Sequence, residues 1–204
     1  MRGNFITLEG PEGAGKSSIC KMLIEAFSRD ILLVREPGST QLGEKIRKLL
    51  QEEDMPDRAE LLLFEAARAC IVDQVISPSL ILGKDILCDR FFDSTTVYQG
   101  FGRGLNIKEI SMLNSMATNG LSPDLTIILD IDPKLGSDRK GKASDRIEAA
   151  GLDFHTRIRD GYLEIAKHQS RFQVVDASFP LPVVFEQVCS IIKQKFNWQL
   201  KSEV

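Results

Sequence analysis

Apolar runs rich in β-branched and aromatic residues recur at Phe5–Leu8, Ile31–Val34, Ile86–Cys88, Leu125–Leu129 and Phe172–Val175. Longer stretches separate them, and in these the apolar positions return at helical spacing. Ile19, Met22, Leu23, Ala26 and Phe27 follow the first run in this way. A strand that is apolar at successive positions is buried on both faces, so the alternation predicts an α/β fold: a five-stranded, mainly parallel sheet flanked by helices. No internal repeat, low-complexity tract or linker interrupts it, so residues 1–204 are expected to form one domain. Ligands of such sheets collect at the carboxyl ends of the strands, where Gly10, Arg35, Asp89 and Asp176 emerge.

One predicted helix, from about Asp57 to Leu82, is apolar on more than one face through Leu61, Leu62, Leu63, Phe64, Ala67, Ile71, Val72, Val75 and Ile76. One side would pack on the sheet. The other suits either a subunit contact or the interior of a monomer, and a homodimer is the expectation carried forward. Arg58, Glu60, Glu65 and Arg68 interrupt the apolar surface.

Between the first strand and its helix, residues 10 to 17 read Gly-Pro-Glu-Gly-Ala-Gly-Lys-Ser. This is a complete phosphate-binding loop in the strand–loop–helix frame that such a loop requires, which makes the fold a P-loop NTPase three-layer sandwich. Gly10, Gly13 and Gly15 allow backbone N–H groups to converge on an anion, with Pro11, Ala14 and Ser18 completing the cradle. Lys16 can reach the β- and γ-phosphates and Ser17 can ligate Mg²⁺. Glu12 is a carboxylate inside that cradle. Beside a phosphate it would meet a repulsion of about 4 kcal/mol at 4 Å and surface-like dielectric. It should therefore turn away, towards a hydroxyl donor or an arginine.

Three further constellations belong to the same end of the sheet. Asp89 closes the run Ile86-Leu87-Cys88, the place where a carboxylate holds hydrated Mg²⁺ beside the loop. Arg35, Arg68 and Arg90 offer planar forks suited to phosphate and carbonyl groups, which suggests a second anionic ligand. A basic segment, Arg139-Lys140-Gly141-Lys142 followed by Asp145-Arg146, precedes a predicted helix from about Ile147 to Lys167. It reads as a mobile lid over about 136–148 that brings cations to a transferring phosphoryl group.

Bulk properties narrow the partners. A net charge of −3 over 204 residues argues against a broad nucleic-acid or membrane surface. No segment reads as a signal peptide or membrane span. Cys20, Cys70, Cys88 and Cys189 are too scattered for a zinc site and are expected to be free thiols in the cytoplasm. His155 and His168 lack metal-ligand spacing. The chain has no Asn-Lys-x-Asp guanine motif, which sets a GTPase switch aside.

In this order the pieces resemble the bacterial thymidylate kinases, P-loop nucleoside monophosphate kinases, over nearly the whole chain. The resemblance is carried by Gly10–Ser18, by Arg35-Glu36-Pro37-Gly38 and by Leu63-Phe64-Glu65-Ala66-Ala67-Arg68. It continues through Asp89–Gly100, Asp145-Arg146-Ile147-Glu148, Phe154, Arg157, Arg159 and Tyr162-Leu163. It implies transfer of the ATP γ-phosphoryl group to dTMP. Arg35 and Arg90 would then lie nearest the acceptor phosphate, Phe64 would stack on thymine and Arg68 would meet a base carbonyl. Ser94, Thr95 and Gln99 would line the base pocket, Tyr98 would crowd the 2′ position, and Glu12 would take the 3′-hydroxyl. The lid departs from the family by carrying only Arg139 and Arg146 beside Lys140 and Lys142. Arg139 and Lys142 are the candidates for the cation at the transferred phosphoryl group, and Arg146 for an ATP contact. A kinase for another nucleoside monophosphate is the competing reading.

Overall fold

The computed structural model describes residues 2–141, 146–147 and 149–201. Its strands are β1 (Phe5–Glu9), β2 (Ile31–Arg35), β3 (Asp85–Asp89), β4 (Leu125–Asp130) and β5 (Phe172–Asp176). The helices are α1 (Lys16–Ala26), α2 (Gln41–Glu52), α3 (Asp57–Ile71), α4 (Ser77–Ile81), α5 (Phe92–Thr95), α6 (Ile107–Thr118), α7 (Pro133–Lys140), α8 (Leu152–Ala166) and α9 (Leu181–Phe196). The sheet order is β2-β3-β1-β4-β5, and every pairing is parallel. All five strands occupy the predicted runs.

The continuous apolar runs are explained by the two cores. Ile6, Leu8, Leu87, Ile127 and Leu129 face α1 and α9, meeting Ile19, Leu23, Val184, Val188 and Ile192. Their neighbours in sequence point the other way. Phe5, Ile86 and Cys88 pack on Ile71, Ile76 and Leu80, while Ile128 packs on Val97, Ile158 and Tyr162. Both faces are dry, so alternation has nothing to record.

Two long elements differ from their sequence outline. The helix expected from Asp57 to Leu82 is α3 and α4 joined by a π-helical turn, Val72–Ile76, and a second π turn, Thr96–Gly102, extends α5. Such turns widen a helix by one residue and re-aim its side chains, often at functional sites. The helix expected from Ile147 is α8, which begins at Leu152. The basic segment, read as loop, begins inside α7: Asp132 accepts from the N–H groups of Lys134 and Leu135, and Pro133 opens the helix. Arg139 and Lys140 therefore stand on its last turn. Lys142, Ala143, Asp145 and Glu148 lie outside the described residues.

Candidate active site

The phosphate loop adopts the conformations its glycines permit, with φ of 74° at Gly13 and 87° at Gly15. Gly15 precedes α1, whose N-terminus aims its unpaired N–H groups at the bend. Lys16 Nζ donates to the carbonyls of Gly10 and Pro11 at 2.9 and 2.8 Å, so its cation is held against the loop. Burial, with Arg90 close by, pulls the Lys16 ammonium down to about 8. Ser17 Oγ donates to Asp89 Oδ2 at 2.6 Å, joining the start of α1 to the end of β3. Two hard oxygens thus meet beside the loop.

Next to Asp89, Arg90 takes a left-handed backbone with φ of 71°, unusual for a residue with a side chain. This turns its guanidinium back over the loop. Nη1 donates to Gly10 O, Ser94 Oγ and Tyr162 OH at 3.2, 3.1 and 3.3 Å, and Nη2 donates to Tyr98 OH at 3.0 Å and to Glu12. Glu12 also accepts from Lys140 Nζ at 3.1 Å. Burial opposes its charge, but Arg90, Lys16 and Lys140 outweigh that and hold the Glu12 carboxyl well below the usual range. The carboxylate turns to an arginine, as electrostatics requires.

Below them sits Glu9, fully buried, accepting from Phe91 N–H, Ser94 Oγ and Tyr162 OH at 2.7, 2.6 and 2.9 Å. Burial and the charge of Asp93 push it up to about 7.

Opposite, Arg68 is 1% exposed and its N–H groups are engaged by protein: Glu36, Glu65, Asn114 and Thr95 accept at 2.9, 2.9, 3.1 and 2.8 Å. Arg35, by contrast, is an exposed guanidinium clipped to Glu44.

These groups enclose one cavity of about 440 Å³. Its lining brings together Glu12, Gly13, Gly15, Lys16, Ser17, Ser18, Arg35, Phe64, Arg68, Asp89, Arg90, Ser94, Thr95, Tyr98, Gln99 and Arg139. Gly10, Pro11 and Ala14 are buried members of the loop that do not line the cavity. Arg139 reaches the lining with its guanidinium held by the carbonyls of Ala177 and Ser178, both at 2.6 Å. Arg146 does not line the cavity; it is drawn 2.6 Å from the buried carboxylate of Glu60. Sequence reasoning missed Arg47, Leu50 and Gln51, which α2 presents to the same cavity, and undervalued Lys140. No motif marks α2. The available signal was the Arg-Glu-Pro turn itself, whose Pro37 carbonyl accepts from Arg47 Nη1 at 3.1 Å.

The four cysteines are free thiols, three buried and Cys70 half-buried. Among the described residues no helix is long and apolar enough to cross a membrane.

Residues 8–188 match the family model described as thymidylate kinase. The chain is 43% identical to the thymidylate kinase of Geobacillus sp. (strain WCH70), across 97% of this chain and 99% of that protein. It is 45% identical to the thymidylate kinase of Nostoc punctiforme, across 95% and 97%. For the thymidylate kinase of Alcanivorax borkumensis the identity is also 45%, across 97% and 100%.

Proposed function

The chain belongs to the thymidylate kinase family, and on that footing we propose which of its residues hold donor, acceptor and metal. The reaction is transfer of the γ-phosphoryl group of ATP to dTMP, giving ADP and dTDP for dTTP synthesis. The observation that carries the assignment is that one cavity is lined both by the phosphate loop, through Gly13, Gly15, Lys16 and Ser17, and by Arg35, Phe64, Arg68 and Gln99.

The triphosphate lies in the loop from Gly10 to Ser18, with Lys16 moving from the loop carbonyls to the β- and γ-phosphates. Ser17 and Asp89 fit Mg²⁺, since both are oxygen donors and already meet at 2.6 Å. The ion neutralises charge on the phosphates when bound. Arg139 and Lys140 on α7 supply cations beside the loop; Lys142, expected in the same role, lies outside the described residues. Arg35 and Arg90 bind the acceptor phosphate. Glu12, held by Arg90, accepts from the sugar 3′-hydroxyl, and the Tyr98 ring closes the space beside the 2′ carbon. Phe64 stacks on the base, while Ser94, Thr95 and Gln99 border its edge. Arg68 serves the base end through Thr95, whose hydroxyl it fixes.

We propose a homodimer, supported by Leu62 on α3 and Met112 and Met116 on the adjoining α6, which are 55%, 65% and 82% exposed. Its expected place is the cytoplasm, in keeping with the free thiols. Sedimentation analysis tests the assembly.

The activity is tested by ADP release with Mg·ATP and a panel of monophosphates. dTMP is expected to be turned over best. dUMP, which lacks only a methyl group worth about 1–3 kcal/mol, follows as a weak substrate, and dCMP is very poor. Equal turnover of dCMP and dTMP overturns the base assignment.

A further inference from the structure

Glu60 is a carboxylate with no exposed surface, outside the reacting centre, yet four hydrogen bonds converge on it. Its Oε1 accepts from Gln99 Nε2 at 2.9 Å and from Arg103 Nε at 3.3 Å. Its Oε2 accepts from Arg103 Nη2 at 3.2 Å and from Arg146 Nη2 at 2.6 Å. Burial works against the charge, but these bonds and cations hold the carboxyl below its ordinary value. An ionised carboxylate can only accept. Gln99 must therefore turn its NH₂ towards Glu60, and the carbonyl end of the same amide is left to face the cavity. Among the described residues this bond is what fixes that choice, because the two ends of an amide have nearly the same shape.

We propose that Glu60 is a positioning residue for base selection: by accepting from Gln99 Nε2 it commits Gln99 Oε1 to the cavity as an acceptor. This rests on the placement of the acceptor base beside Gln99. An acceptor there matches the N3–H donor of thymine and uracil and opposes the N3 lone pair of cytosine. Arg103 and Arg146 keep Glu60 charged, so Arg146 is tied through Glu60 to the group that sets base choice.

The decisive variant is Glu60→Gln. The new carboxamide does best to keep its oxygen on Arg103 Nη2 and Arg146, since two cations cannot accept. Its NH₂ then meets Gln99, whose own amide turns over and presents NH₂ to the cavity. The expected result is selective. The ratio of kcat/KM for dTMP over dCMP falls by about tenfold or more. The ratio for dTMP over dUMP stays within about twofold, because both bases carry N3–H. In a Gln99→Met background, Glu60→Gln should add nothing to the dTMP/dCMP ratio. An equal fall on all three substrates, or an unchanged dTMP/dCMP ratio, overturns the proposal.

If Gln99→Met alone leaves dTMP/dCMP unchanged in an enzyme active on dTMP, the base placement fails and the proposal with it. If Gln99→Met collapses the ratio and Glu60→Gln does not, the placement stands and only the role of Glu60 fails. Should Glu60→Gln not fold, ¹⁵N NMR of the wild type decides. The Gln99 side-chain NH₂, identified by its loss in Gln99→Met, should show contacts to Arg103 with and without dTMP. Contacts from that NH₂ to the bound base instead overturn the proposal.

Discussion

Gly13 and Gly136 meet backbone to backbone: a Cβ on Gly13 would stand 2.1 Å from Gly136 O, and one on Gly136 would stand 2.4 Å from Glu12 O. The phosphate loop and α7 therefore touch at the one distance that two glycines allow. This contact sets the last turn of α7, with Arg139 and Lys140, against the loop. A methyl group at Gly136 meets backbone, which cannot step aside as a flexible side chain could. Gly136→Ala is thus expected to push α7 outward, destabilise the fold by about 1–3 kcal/mol and lower kcat through the displaced cations. Denaturant titration and steady-state assays check both effects. Unaltered kcat would separate α7 from the chemistry.

The hydroxyl of Ser17 and the carboxylate of Asp89 share a short bond across the loop, so replacing the charge while keeping the shape isolates the metal role. Asp89→Asn should raise the Mg²⁺ concentration for half-maximal activity by about tenfold or more, with KM for dTMP little changed. Mn²⁺ binding followed by electron paramagnetic resonance, in the presence of ATP, gives a reading independent of turnover. Wild-type affinity in that variant would remove Asp89 from the metal site.

Lys16 is pulled down to about 8 by burial and the neighbouring Arg90, so in the free enzyme it is charged below that pH and neutral above it. Only the charged form attracts a triphosphate. Kcat/KM for ATP should be flat up to about pH 7.5 and then fall, by at most about tenfold per unit. Bound phosphates restore the proton, so kcat should change less than kcat/KM. In Lys16→Arg the break near pH 8 should vanish, because a guanidinium stays charged throughout. A break that persists there belongs to another group.

The sheet, the phosphate loop and the presence of Arg35, Arg68 and Arg90 at the cavity were legible because each is written in a run of consecutive residues. Runs such as Leu125–Leu129 declare a strand buried on both faces, and Gly10–Ser17 declares its own geometry. What stayed hidden depends on partners far apart in the chain. Arg146 reads as a lid cation, yet the buried Glu60 claims it from 86 residues away. Arg68 reads as a free donor, yet Glu36, Glu65, Asn114 and Thr95 accept its N–H groups. Arg47 carries no motif and reaches the cavity only because α2 packs on α3. Local pattern gives a side chain's chemistry, and tertiary pairing decides how much of it is left for a ligand.

The pair Glu36–Arg68 lies inside the fold, and its pH behaviour follows from burial. Burial pushes Glu36 up to about 7 against the pull of Arg68, and Glu9 is raised to about the same value. In the unfolded chain both titrate near their ordinary value of 4.5. Between those limits the folded protein keeps protons that the unfolded chain has released. Stability therefore declines as pH rises from about 4.5 to about 7, and only near pH 8 does the lowered Lys16 begin to act in the opposite direction. Glu12, held low by its cations, contributes its stabilisation throughout this window and does not reverse the slope. Thermal unfolding of the ligand-free protein should give a higher Tm at about pH 5.5 than at about pH 7.5. Glu36→Gln should lessen the difference, since its amide cannot titrate. A Tm that climbs across this interval, or a slope untouched by the substitution, would mean that Arg68 holds Glu36 ionised and that burial is the weaker force.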